Sequence, residues 1–104
     1  MSLICTVSSS MMTLKAQMNM CQAILRQISE ERQDISSQML EQLAKNGSNK
    51  DDVQYVYLQN EDQKLDLNQI QYENMYALYS ENFKSTQQEY QNNVKDSGFK
   101  FSVS

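Results

Sequence analysis

The residues best able to do acid–base chemistry are three adjacent carboxylate pairs, Glu30-Glu31, Asp51-Asp52 and Glu61-Asp62. A general acid and a general base must converge on one reacting group, whereas successive residues of a helix point in different directions. The pairs therefore read as solvated surface or helix-start residues. Two cysteines, Cys5 and Cys21, are present in a chain with no histidine, too few donors for a structural zinc site. Reduced thiols are expected, with Cys21 a small buried hydrophobe and Cys5 the more accessible. There is no Gly-rich phosphate loop, nucleophile motif or tryptophan. The expectation is a protein that is not an enzyme, with no catalytic, metal or cofactor-binding residues and no cofactor.

An aromatic cluster, "YENMYALYSENF" at residues 72–83, raises a second possibility, a ligand-binding box. Its spacing points instead to the inner face of a helix. Leu58, Leu65, Tyr72, Tyr76, Tyr79, Phe83 and Tyr90 project within a narrow arc when residues advance at the helical angle. An equivalent stripe precedes it, with Met11, Leu14, Met18, Cys21, Leu25, Ile28, Ile35 and Met39 recurring at alternating three- and four-residue steps. That pattern is a coiled-coil seam. Arg32 interrupts it, and Glu61 or Gln63 is the expected partner across the pair, either fixing register or merely letting the arginine snorkel from the seam edge.

The elements that carry these stripes are bounded by recognisable signals. Serines 8–10 can accept hydrogen bonds from free N–H groups at a helix start, and Lys45-Asn46-Gly47 places a cation and then a left-handed-tolerant pair at a helix end. A second start follows, with Ser48 or Asn49 as cap and Asp51 and Asp52 in the first turn, and Lys95-Asp96-Ser97-Gly98 repeats the stop. The link between the helices is too short for anything but an antiparallel return. The fold expected is all-α, a long antiparallel two-helix hairpin of coiled-coil type with helices at about 10–45 and 50–96. Short segments outside the helices are expected at 1–9, extended or disordered, and at 97–104, extended, since Phe99, Phe101 and Val103 alternate with polar residues and "LICTV" is a weaker match; both are read as ordering on assembly, with disorder the alternative.

One antiparallel neighbour covers only one stripe of a helix. Val56, Leu67, Ile70 and Ala77 lie nearly opposite the aromatic arc, and Met12, Ala16, Met20 and Ala23 lie away from the first seam. These eight residues form the expected protein-interaction surface, concentrated toward the open end of the hairpin. A protein partner follows, either further copies in a homo-oligomer or structural assembly, or a client helix taken up by a small adaptor or secretion-type chaperone.

Composition narrows the partner class. Asparagine and glutamine number 23 against 22 charged residues, and the net charge is -4. The nine Lys and Arg are scattered, which argues against nucleic acid, and no apolar run is long enough for a membrane span. The opening "MSLICTVSSSMMT" lacks a basic n-region and a full apolar region, so cleavage is not expected. Its Ser- and Thr-rich, charge-poor character resembles type III secretion signals, which makes signal-peptide-independent secretion the alternative to a cytoplasmic location. In form, the hairpin is similar to type III secretion needle subunits and to small secreted hairpins with a Trp-x-Gly turn. The turn here, "AKNGSNKDD", contains neither proline nor tryptophan, and no residue role carries over.

Overall fold

A seven-residue repeat in each half of the chain dictates two helices that lie against one another. The computed structural model, which describes the backbone of residues 3–103 and the side chains of residues 5–96, places α1 at Leu3–Lys45 and α2 at Val53–Val103. They form an all-α antiparallel hairpin. The chain divides into two units, one of residues 1–21 with 75–104 and the other of residues 22–74.

In the first unit the inward side of α1 carries Val7, Met11, Leu14, Met18 and Cys21, all buried or half-buried. On α2 the half-buried positions include Tyr76, Tyr79, Phe83, Thr86, Tyr90 and Asn93, again at alternating steps of three and four. The second unit repeats the arrangement with Leu25, Ile28, Arg32, Ile35, Met39 and Gln42 on α1, and Tyr55, Leu58, Asp62, Leu65, Gln69 and Tyr72 on α2. Only Val7, Met18, Cys21 and Ile28 are buried among the described residues. The reason is geometric: two helices form a single layer, so a seam residue is covered from one side and its flanks stay in water. Tyrosine suits such a half-covered position, because a phenol ring can pack while its hydroxyl keeps a polar partner within reach.

The turn closes through side chains as much as through backbone. Gly47 and Ser48 both adopt left-handed dihedrals, with φ of 70° and 67°, and the Ser48 N–H donates to the Leu43 carbonyl at 2.8 Å. This six-to-one bond is that of a Schellman helix end. Beyond it, the Asn46 side chain donates to the Asn49 carbonyl at 2.9 Å and accepts from the Asn49 N–H at 2.8 Å. Asp52 then caps α2, accepting from the Tyr55 N–H at 3.4 Å and from the Gln42 side-chain amide at 2.7 Å. The second helix thus starts later than expected from Ser48 or Asn49. Both of those residues are spent on turning the chain, and Asp51 and Asp52 precede the helix rather than lying in its first turn.

The free ends also differ from expectation. Residues 3–9, expected to be extended, belong to α1, and residues 97–103 belong to α2. A lone strand has no partner for its backbone groups, whereas a helix that continues gains one hydrogen bond per residue fixed. Gly98 costs the helix only about 1 kcal/mol relative to alanine and does not stop it. The side chains of Phe99, Phe101 and Val103 lie outside the described residues. At the other end the hydroxyls expected to cap α1 turn back on the helix, Ser10 donating to the Thr6 carbonyl and Thr13 to the Ser9 carbonyl, each at 3.1 Å. Hydroxyls bonded four residues back satisfy themselves inside a helix and need no helix start.

Two measurements check this turn. Hydrogen bonds from the Gln42 side chain, from the Asn46 amide and from the N–H groups of Tyr55 and Gln54 hold the Asp52 carboxyl below the ordinary aspartate range, against a smaller opposing effect of burial. A depressed folded pKa means stability that is present above the unfolded value and is lost as pH falls through the folded one. Asp52→Ala should therefore melt below the wild type near neutrality, and the gap should narrow below about pH 4; an unchanged gap in acid contradicts the assignment. Ser48→Gly should raise stability by about 0.5–1 kcal/mol in denaturant titration, because a side chain in the left-handed region costs energy that glycine does not.

Candidate interaction surface and the polar layer of the seam

Arg32 is the one arginine in the seam, and three side chains of α2 converge on it. Its Nε donates to Asp62 Oδ1 at 2.9 Å and its Nη2 to Asp62 Oδ2 at 3.2 Å, a two-pronged pair. Its Nη1 donates to Asp66 Oδ1 at 3.0 Å and to Gln69 Oε1 at 2.8 Å, and Gln69 in turn donates to Glu73 at 2.8 Å. The hydrogen bonds that Arg32 donates to Asp62 first, then the charge of Asp62 and the hydrogen bond and charge of Asp66, raise the guanidinium pKa, partly opposed by desolvation. The planar fork suits two acceptors at once, which a lysine could not match.

Neither Glu61 nor Gln63, the partners expected from the sequence, is among these acceptors. Glu61 instead accepts from Lys64 at 3.0 Å on the same helix, an exposed pair of small energetic weight, and Gln63 is exposed. The cause is positional. Asp62 and Gln69 stand in register with Tyr55, Tyr76, Phe83 and Tyr90, all separated by sevens, so they belong to the seam although they are polar. Following apolar residues alone skipped them. The companion register of Leu58, Leu65, Tyr72 and Tyr79 likewise runs on to Thr86 and Asn93, and the Asn93 amide nitrogen is out of water with no acceptor among the described residues.

Chemically this layer is closed. Its carboxylates pair with the arginine, and no cluster of three or more His, Cys, Asp or Glu among the described residues could hold a metal ion. Cys5 is exposed and Cys21 buried.

The outer faces are more open. In the first unit Met12, Ala16, Met20 and Ala77 are exposed, and in the second Ala23, Val56, Leu67 and Ile70 are exposed. Met12 is 72% exposed, Met20 64%, Leu67 69% and Ile70 47%, whereas Leu58, Leu65, Tyr72, Tyr79 and Phe83 are half-buried. Leu40, Val53, Tyr57, Leu78 and Val94 add to the exposed apolar residues. Exposed apolar side chains therefore occur in both units. Val53 stands three residues before Val56 and fourteen before Leu67, in phase with the outer stripe of α2, whereas Leu40 and Tyr57 have no apolar residue seven positions away and leave no periodic signal. Within the first unit, Met11, Met12, Phe83 and Tyr90 line a shallow apolar groove with Ser8 and Lys15, whose ammonium lies 5.8 Å from the centre of the Phe83 ring. No described helix is long and apolar enough to cross a membrane.

A double-mutant cycle with Arg32→Met and Asp62→Asn should give a coupling energy of about 1 kcal/mol, smaller in high salt because all the partners touch solvent. A coupling near zero at every ionic strength would show that the fork does no more than occupy the seam edge.

No protein-family model, no curated protein and no solved structure matches this chain, so its reading rests on the geometry of its own residues.

Proposed function

We propose that this chain is a non-enzymatic helical-hairpin subunit that associates with further copies of itself through the outer faces of its helices. The observation that carries the reading is the mismatch between a thin core and a greasy exterior. Val7, Met18, Cys21 and Ile28 are the buried side chains among the described residues, while Met12, Met20, Leu67 and Ile70 stand in water. Small domains of this size are marginal on their own burial, and fully covering one Leu, Ile or Met side chain contributes about 1.5–3 kcal/mol. A second layer of helices would convert the outer residues into core.

A different occupant is favoured by one feature, the Met-lined groove of Met11, Met12, Phe83 and Tyr90. Methionine adapts to irregular apolar surfaces, which suits an adaptor that accepts the amphipathic helix of a client.

Light scattering after size exclusion separates the two. Self-association predicts a mass above one chain that rises with concentration, and Ile70→Glu should lower it while circular dichroism stays helical, because the new charge enters an intermolecular contact. Tyr79→Ala should instead lower the melting temperature, since that ring belongs to the seam. A mass of one chain at all concentrations overturns self-association and leaves the adaptor reading.

A further inference from the structure

The turn contains the dipeptide Asn46-Gly47, in which a backbone nitrogen and a side-chain amide carbon are separated by few bonds. Three features prepare them for reaction. The Gly47 N–H makes no hydrogen bond among the described residues, although its neighbours on both sides do. Gly47 is left-handed and carries no side chain, and the space a Cβ would occupy holds no atom within 4 Å, so no side-chain bulk hinders rotation of the backbone at this residue. The Asn49 N–H donates to Asn46 Oδ1 at 2.8 Å, at the oxygen where negative charge would gather if the amide carbon were attacked.

We propose that Asn46 is a self-modification site at which the Gly47 nitrogen displaces the side-chain amide. A solvent base takes the Gly47 amide proton, the nitrogen bonds to Asn46 Cγ, and the Cγ–Nδ2 bond breaks as ammonia leaves with a proton. Water then opens the five-membered imide at either carbonyl, giving aspartate or isoaspartate at position 46. No electrons are transferred to or from any outside reagent.

The product undoes the bonds that hold the turn. A carboxylate cannot donate to the Asn49 carbonyl, which now receives Asn46 Nδ2 at 2.9 Å. It also replaces an amide that supports the Asp52 carboxylate with a like charge, in a link that already carries Asp51 as well as Lys50. Modification thus weakens the cap of α2 and the closure of the hairpin together.

Peptide mapping by mass spectrometry of the full chain, held folded in mildly alkaline buffer, tests this. The expected result is the mass gain of amide-to-acid conversion at Asn46, as an aspartate and isoaspartate mixture, ahead of Asn49, Asn92 and Asn93. Gly47→Ala should slow it roughly tenfold by restricting and shielding the nucleophile. Asn46→Asp, made directly, should melt below the wild type. Conversion seen only in urea, or an Asn46→Asp variant that melts at the wild-type temperature, would overturn the proposal.

Discussion

Every feature of this hairpin depends on one constraint: each helix has a single neighbour within its chain. A residue at the seam is shielded by the facing helix but not from its flanks, so even the aromatic positions of α2 keep part of their surface in water. Apolar burial is consequently spread thinly over many positions. The tyrosines are well matched to such half-shielded sites, which a run of phenylalanines would occupy at the cost of more exposed ring.

The same constraint explains how an arginine sits in the seam. Full enclosure would impose a large desolvation penalty on a charge, but at a half-open position Arg32 keeps part of its hydration and meets two carboxylates and an amide in addition. Its acceptors come from three turns of α2, so shifting one helix along the other by a turn would exchange them. Apolar layers are less discriminating, because Leu or Met can pack against several alternatives. The polar layer therefore contributes alignment where the apolar layers contribute most of the cohesion.

What the sequence disclosed follows the strength of its local signals. Gly47 marks the turn because only a residue without a Cβ enters the left-handed region freely, and the apolar steps from Leu14 to Met39 trace their seam unaided. Asp62 and Gln69 were hidden because polarity masks membership of a seam when apolar residues alone are followed. The start of α2 was misplaced because Ser48, Asn49, Asp51 and Asp52 are all competent caps, and only the hydrogen bonds of the turn choose among them. The terminal segments read as strands because alternation over a few residues is cheap to find by chance, while strands require partners that the chain does not supply. The outer residues were visible as surplus apolar positions, but Leu40 and Tyr57, which lack an apolar neighbour one heptad away, were not.

The uninterrupted period of sevens on both helices also restricts how a gene for this protein can change length. Each residue added or removed inside a helix rotates everything beyond it by about 100°, carrying seam positions toward solvent and outer positions inward. An insertion of seven residues returns the pattern nearly to phase, and a matching seven in the other helix restores the facing layers. Growth of such a chain is therefore stepwise, in paired heptads, with the link at residues 46–52 as the one described segment where single-residue changes leave the phase of both helices untouched.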